Sequence, residues 1–223
     1  VRLYAAALNH LDLYARSGGN RVRVGPFPHI LGSDMAGEIV ELGSDVDHLE
    51  VGQRVVIDYV IKCGTCTHCV MGHDELCQKV RDMGIHVAGG YAQYVKAPFQ
   101  NVYAIPDSLP FEEAAAIPLV FHTAWHCLVT RAGLKAGESV LINAAGSGVG
   151  SAGIQIAKAL HCRVFVTAGT DLKISRAVEI GADGGVNYTT TPAFGGAIRE
   201  MTGGEGINVV FDSVGTAVWE ESF

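Results

Sequence analysis

No run of lysines and arginines occurs in this 223-residue chain, and its formal net charge is −7. Nucleic acid and anionic membrane surfaces recruit clustered positive charge, so neither is expected as a partner. The uncharged stretch 139–157 is broken by Gly, Ser, Asn and Gln, which argues against a membrane span. No signal-peptide pattern opens the sequence, and no internal repeat or low-complexity segment interrupts it. Cysteine is scarce, with six in all, and four of them fall within 63–77. That clustering does not read as a disulfide framework. It points to metal binding in a reducing compartment, hence to the cytoplasm. With 48% hydrophobic and 17% charged residues, the composition is that of a globular domain, and the length admits one large or two modest domains.

A strict G-x-G-x-x-G is also missing, yet the most informative stretch is built like one. Val140, Leu141 and Ile142 form a short apolar run expected to be a buried strand. Ala144-Ala145-Gly146-Ser147-Gly148-Val149-Gly150 follows, and then Val149, Ala152, Gly153, Ile156, Ala157 and Leu160 recur at helical spacing. Strand, small-residue turn and helix together form the context of a dinucleotide fingerprint. Small residues let the backbone approach a pyrophosphate, and the helix start offers N–H groups and a positive dipole end. The competing reading is a plain glycine-rich entry into a helix.

Residues 1–105 read as short strands and glycine turns, at 1–6, 38–42, 54–57 and 90–95. After a loop at 106–110, a helix is expected through 111–116, with Glu112 and Glu113 where the dipole favours them. Beyond Gly137 the rhythm becomes strand 140–142, helix 149–160, strand 164–167, helix 171–180, strand 186–187, helix 193–201 and strand 208–211. That alternation predicts a parallel sheet with crossover helices, four strands of the six in a full doubly wound domain. The first residue is Val and the last residues read as a helix, so both ends are expected to be cut. Strand 208–211 is then expected to be a bare, aggregation-prone edge, and the chain alone not to be a competent enzyme.

Cys63-x2-Cys66-x2-Cys69-x7-Cys77 is the most specific chemistry in the sequence. Gly64 and Thr65 suit a tight turn that folds thiolates onto one ion, and four thiolates are a closed, structural zinc set. An iron–sulfur cluster is the rival, disfavoured by the long third spacing and the lack of a Cys-Pro. His68 and His73 are expected to be exposed.

Taken together, the four-cysteine lobe, the run from Gly32-Ser33-Asp34 to Gly43, the segment Glu112–Ala116 and the AAGSGVG turn resemble the zinc-type medium-chain dehydrogenase/reductase superfamily. That superfamily includes alcohol dehydrogenases and quinone oxidoreductases. The resemblance implies an α/β chain, with a GroES-like β-rich catalytic domain at 1–121, its zinc lobe at 62–78, and a doubly wound Rossmann domain from 122 that is incomplete at 223. It also implies a full-length homo-oligomer acting on a small-molecule substrate. Members with a catalytic zinc hold it with a cysteine after the first strand, a His-Glu pair after a glycine, and a cysteine or acid near the domain junction. Asn9, Ser33 with Asp34, and Leu119 stand at those positions here. The run Asn9 to Gly18 is instead similar to the zinc-free quinone oxidoreductase branch.

By that resemblance Asn9, Tyr14 and Asp12 are the candidate catalytic residues. Asn9 would polarise a carbonyl or merely satisfy a turn, Tyr14 would donate a proton or form a wall, and Asp12 would act directly or through a neighbour. The cofactor candidates are His10, Thr123, the turn residues Ala145, Gly146, Ser147, Gly148, Val149 and Gly150, and then Thr170, Lys173 and Tyr188, which match positions that meet a 2′-phosphate. An NAD site needs an acid at the end of the second strand, and Ala168 supplies none, so NADP(H) is expected over NAD(H). Asp171 is read as the N-cap of its helix, and Trp125, Phe121 and Leu128 as core.

The expected activity is hydride transfer between NADP(H) and a small carbonyl, alcohol, quinone or enone, with no catalytic zinc. One alternative is a zinc-dependent alcohol dehydrogenase with ligands such as His10, Asp34 or His122. The other is a redox-silent nucleotide-binding protein.

Overall fold

The structure is a computed structural model that describes residues 1–18, 22 and 24–223. It divides into two compact units, Val1–Leu119 and Val120–Phe223.

In chain order the first unit contains β1 (Arg2–Ala7), α1 (His10–Ser17), β2 (Asp34–Glu38), β3 (Arg54–Ile57), β4 (Val60–Ile61), α2 (Thr67–Val70), β5 (Arg81–Asp82), β6 (Val102–Ala104) and α3 (Phe111–Ala115). β1, β2, β3 and β6 form an antiparallel sheet in that order, and β4 pairs with β5. Ala114 and Ala115 of α3 pack on Ala36, while Met35, Ile57, Met83 and Val95 form a second cluster. β2 is therefore buried on both sides. Its exposure does not alternate, and for that reason the pattern at 38–42 marks the wrong residues. The strand is Asp34–Glu38, and beyond it only Ile39 continues the pairing, its N–H donating to the Gln53 carbonyl at 3.0 Å and its carbonyl accepting from the Gly52 N–H at 2.8 Å. The segment 90–95 is likewise not a regular strand. It touches β1 through one bridge, Arg2 to Tyr94, and through backbone bonds at Gln93 and Val95.

The chain passes between units within α4 (Pro118–Trp125), which runs on as a π-helical turn, His126–Arg131. The second unit continues with β7 (Ser139–Ile142), α5 (Gly148–Ala159), β8 (Arg163–Ala168), α6 (Asp171–Glu179), β9 (Gly184–Asn187), α7 (Phe194–Met201), β10 (Val209–Phe211) and α8 (Trp219–Ser222). Its sheet is parallel in the order β10-β7-β8-β9. Alternate strand residues serve opposite faces: Val140, Ile142, Val164 and Val166 pack under α5, and Leu141 and Phe165 pack with Phe194 and Ile198 of α7. Leu128 is buried, whereas Trp125 is 51% exposed and not core. One residue step turns a side chain about 100° around a helix, and Ala124 takes the inward place. Among the described residues, no helix is long and apolar enough to cross a membrane.

Candidate functional site

At the end of β7 the chain turns sharply. Ala144 adopts φ 56°, a left-handed conformation uncommon outside glycine. The turn closes with the Ser147 N–H donating to the Ala144 carbonyl at 2.9 Å, and the Ala145 N–H donating to the Thr167 carbonyl at 3.0 Å. Ser147 is the N-cap of α5, its hydroxyl accepting from the Gly150 N–H at 2.9 Å. A Cβ on Gly150 would lie 2.6 Å from the Ala144 oxygen, so only glycine lets the helix start this close to the turn. This is a small-residue cradle on a helix N-terminus, beside the boundary between β7 and β10 where strand order reverses. Open α/β sheets bind ligands at such a boundary, and the donors suit a pyrophosphate. Ala145, Gly146, Ser147, Gly148, Val149 and Gly150 all belong to it.

Next to the turn stands a second group. A Cβ on Gly146 would be 2.9 Å from Lys173 Cδ, so the lysine stem lies along the turn. Tyr188 packs on the end of β8, its hydroxyl 3.0 Å from where a Gly169 Cβ would be. Thr170 is the N-cap of α6, its hydroxyl accepting from the Lys173 N–H at 3.3 Å. Asp171 is thus the first helical residue and not the cap, which corrects the sequence reading. Its Oδ1 accepts from Asn187 Nδ2 at 2.8 Å. Thr123 lies half-buried on α4.

The four cysteines converge. The Sγ atoms of Cys63, Cys66, Cys69 and Cys77 lie within 4.8 Å of one another, with Cys63 to Cys69 at 3.9 Å and Cys66 to Cys69 at 3.5 Å. A tetrahedron with zinc–sulfur bonds of about 2.3 Å has edges of about 3.8 Å, so the set fits zinc. Backbone N–H groups of Thr65 and Cys66 pull the Cys63 thiol down to about 6, whereas burial and then the neighbouring thiols of Cys66 and Cys77 push Cys69 up to about 12, so the convergence of the sulfur atoms carries the assignment.

The first unit also holds a buried polar network. Asp34 is 1% exposed, and both its oxygens accept: Oδ2 from Asn9 Nδ2 at 2.8 Å and Oδ1 from the Leu119 N–H at 2.8 Å. A carboxylate only accepts, so the amide nitrogen of Asn9 must face it. Asn9 is also the N-cap of α1, in a capping box with Asp12. Its second side-chain N–H has no partner among the described residues. Asp12 is 4% exposed, and its Oδ2 accepts from the Asn9 backbone N–H at 2.8 Å and from the Tyr91 hydroxyl at 2.8 Å. Its Oδ1 is buried without a donor. The Tyr91 hydroxyl also faces the Ala7 carbonyl at 3.3 Å, and burial, then the bond to Asp12, raises its pKa. The Tyr91 ring occupies the space a Cβ on Gly32 would take, so the glycine before Ser33-Asp34 is what seats the ring. Ser33 turns inward, its hydroxyl donating to the Met83 carbonyl at 2.9 Å.

Asn9, Asp12, Asp34 and Leu119 are therefore gathered around one network. Tyr14 and His10 are not part of it; both lie on exposed positions of α1. Sequence reasoning missed Tyr91, because Tyr91 and Tyr94 look alike in an alternating stretch and only the ring's seat on Gly32 separates them.

Comparison with known proteins agrees with this architecture. The alcohol dehydrogenase GroES-like domain family matches residues 1–107, and the zinc-binding dehydrogenase family matches 148–223. An alcohol dehydrogenase of Geobacillus stearothermophilus is 38% identical over 224 residues, covering 100% of this chain and 65% of its own length. A quinone oxidoreductase of Pongo abelii is 31% identical, over 95% of this chain and 56% of its own. The crystal structure of an NAD-dependent alcohol dehydrogenase superposes with a TM-score of 0.94 at 45% identity, over 100% of this chain and 64% of that one. The chain thus spans somewhat under two thirds of the length of its relatives. With a GroES-like first unit, a Rossmann-like second unit and relatives of both branches, the chain belongs to the medium-chain dehydrogenase/reductase superfamily.

Proposed function

We propose that this chain is the greater part of an oxidoreductase that moves hydride between NADP(H) and a small carbonyl, alcohol, quinone or enone, with its one zinc structural. The Asn9–Asp34–Leu119 linkage carries this reading. By the resemblance these are the positions at which members with a catalytic zinc hold their ligands, and here direct hydrogen bonds of 2.8 Å join them. The types present are poor zinc ligands apart from Asp34, whose oxygens already accept. Within the first unit, the four cysteines are the only set of three or more His, Cys, Asp or Glu groups gathered closely enough for one ion among the described residues. A closed set of four thiolates leaves no position for substrate and serves the loop around it.

When bound, the nicotinamide supplies the reactive hydride position. The chain's own groups do the rest. The turn 144–150 receives the pyrophosphate. Thr170, Lys173 and Tyr188 receive a 2′-phosphate, with Lys173 as its positive charge. Asn9 meets the substrate oxygen with its remaining N–H, which the Asp34 carboxylate orients. Tyr14 and His10 are exposed on α1, and by the resemblance we assign the first to the substrate and the second to the cofactor phosphates. Asp12 acts through Asn9. Thr123 contacts the nicotinamide. Residues 1–121 supply the catalytic domain and 122–223 the nucleotide domain of a full-length homo-oligomer, and the clustered spacing of the cysteines favours a reducing compartment, the cytoplasm.

Two relatives are named NAD-dependent, and the local residues argue the other way. Ala168 stands where an NAD site needs an acid. The test is oxidation of NADPH and of NADH by the full-length protein with quinones, enones and aldehydes, together with metal analysis. NADPH turnover with one zinc per chain is expected. Preference for NADH, or activity that follows a second zinc, would overturn the reading.

A further inference from the structure

We infer that Asn187 sets cofactor specificity by holding the Asp171 carboxylate away from the 2′-phosphate position. This rests on the reading that Thr170, Lys173 and Tyr188 receive that phosphate. Asp171 opens α6 directly after the turn at the end of β8, where doubly wound domains read the adenosine ribose. A carboxylate left to swing there would accept from a ribose 2′-hydroxyl and repel a 2′-phosphate. It is not left to swing. Asn187 Nδ2 donates to Asp171 Oδ1 at 2.8 Å.

The orientation of Asn187 is itself determined. Its Oδ1 accepts from the Thr189 N–H at 3.0 Å, so its amide nitrogen must face Asp171. Its backbone carbonyl accepts from the Thr191 N–H at 2.9 Å and from the Thr190 N–H at 3.2 Å. Two further bonds latch this loop to the turn after β8: the Tyr188 N–H donates to the Ala168 carbonyl at 3.1 Å, and the Thr189 hydroxyl donates to the Gly169 carbonyl at 3.0 Å. Asn187 is thus a rigid donor placed against the only acid of the turn 168–171, while Lys173, on the next part of the same helix, lies along Gly146 and has no carboxylate partner among the described residues. The arrangement separates the negative group from the positive one. Phosphate recognition needs that separation, whereas an ion pair between them would cancel the lysine charge.

The experiment measures binding of adenosine 2′,5′-bisphosphate and of 5′-AMP to the full-length protein by calorimetry, for wild type, Asn187→Ala, Asn187→Ser, Asp171→Asn, Asn187→Ala with Asp171→Asn, and Lys173→Ala. Releasing a carboxylate beside a phosphate is expected to weaken the bisphosphate about three- to tenfold in Asn187→Ala and Asn187→Ser. 5′-AMP is expected to stay within about twofold, and adding Asp171→Asn to restore the bisphosphate. Asp171→Asn alone keeps wild-type affinity or gains. If wild type prefers the bisphosphate and Lys173→Ala abolishes that preference, but the Asn187 variants bind as wild type, the Asn187 role is wrong and the cofactor reading stands. An equal loss of both ligands, not rescued by Asp171→Asn, also overturns it, since a merely structural latch gives that result. If wild type shows no preference for the bisphosphate, the cofactor reading fails and this inference with it. Circular dichroism of each variant identifies any that misfold, and Asn187→Ser, which keeps a hydroxyl for the latch, then decides.

Discussion

Removing one oxygen, by Tyr91→Phe, tests the buried network of the first unit. The phenol donates to Asp12 Oδ2 at 2.8 Å, and the ring fills the space over Gly32, so the substitution deletes the bond and keeps the packing. Asp12 is 4% exposed and its Oδ1 already lacks a donor. After the change a buried carboxylate keeps one donor, the Asn9 N–H. Hydrogen bonds to charged groups contribute about 1.5–3 kcal/mol, and with Asp12 buried but Tyr91 38% exposed this one falls at the lower end, about 1.5 kcal/mol. Urea unfolding followed by far-ultraviolet circular dichroism reads the loss directly as a lower midpoint at unchanged slope. Both tryptophans, Trp125 and Trp219, belong to the second unit, so their emission controls for damage there. In Asp12→Asn the same bond loses its charge, and the double variant should therefore cost less than the sum of the two singles by about 1 kcal/mol or more. A Tyr91→Phe protein within about 0.5 kcal/mol of wild type, or strict additivity, would refute the assignment of Tyr91 as the carboxylate's donor.

Cys66→Ser should abolish zinc binding and leave 62–78 open to proteolysis, because a structural zinc couples its ligands to local folding; one zinc per chain by mass spectrometry in the variant would contradict this. Burial first, and then the carboxylates of Asp82, Asp58 and Asp34, raise the pKa of Tyr59. A folded pKa above the unfolded value of about 10 gives stability that is full below about pH 10 and is lost as pH climbs past it. Wild type should therefore weaken between about pH 10 and 11 more steeply than Tyr59→Phe, and equal slopes in unfolding experiments at those pH values would count against the assignment.

Much of the second unit was legible in the sequence because its signals are short-range. Each strand–helix alternation lies within a dozen or so residues; the predicted bounds 149–160 are one residue late at both ends of Gly148–Ala159, and 171–180 runs one residue past Asp171–Glu179. In the first unit the same method stumbled where burial was two-sided, as at Asp34–Glu38, or where pairing was a single bridge, as at Tyr94. Asp171 shows the limit at finer scale: Thr170 and Asp171 both suit an N-cap, and only the backbone reveals that the Thr170 hydroxyl accepts from the Lys173 N–H.

By itself the sequence determined the glycine turn that opens α5 and the grouping of the four cysteines. Both depend on residue types a few positions apart, whose geometry the local backbone fixes. Tertiary structure alone decided which polar groups meet. Tyr91 reaches Asp12 across 79 positions, Asn9 reaches Asp34 across 25, Leu119 reaches Asp34 across 85, and Asn187 reaches Asp171 across 16. Those meetings follow from strand register and from which loops close on one another. A hydrogen bond requires its atoms within about 3 Å, a distance that no pattern of residue types encodes when the partners are separated by whole strands and turns.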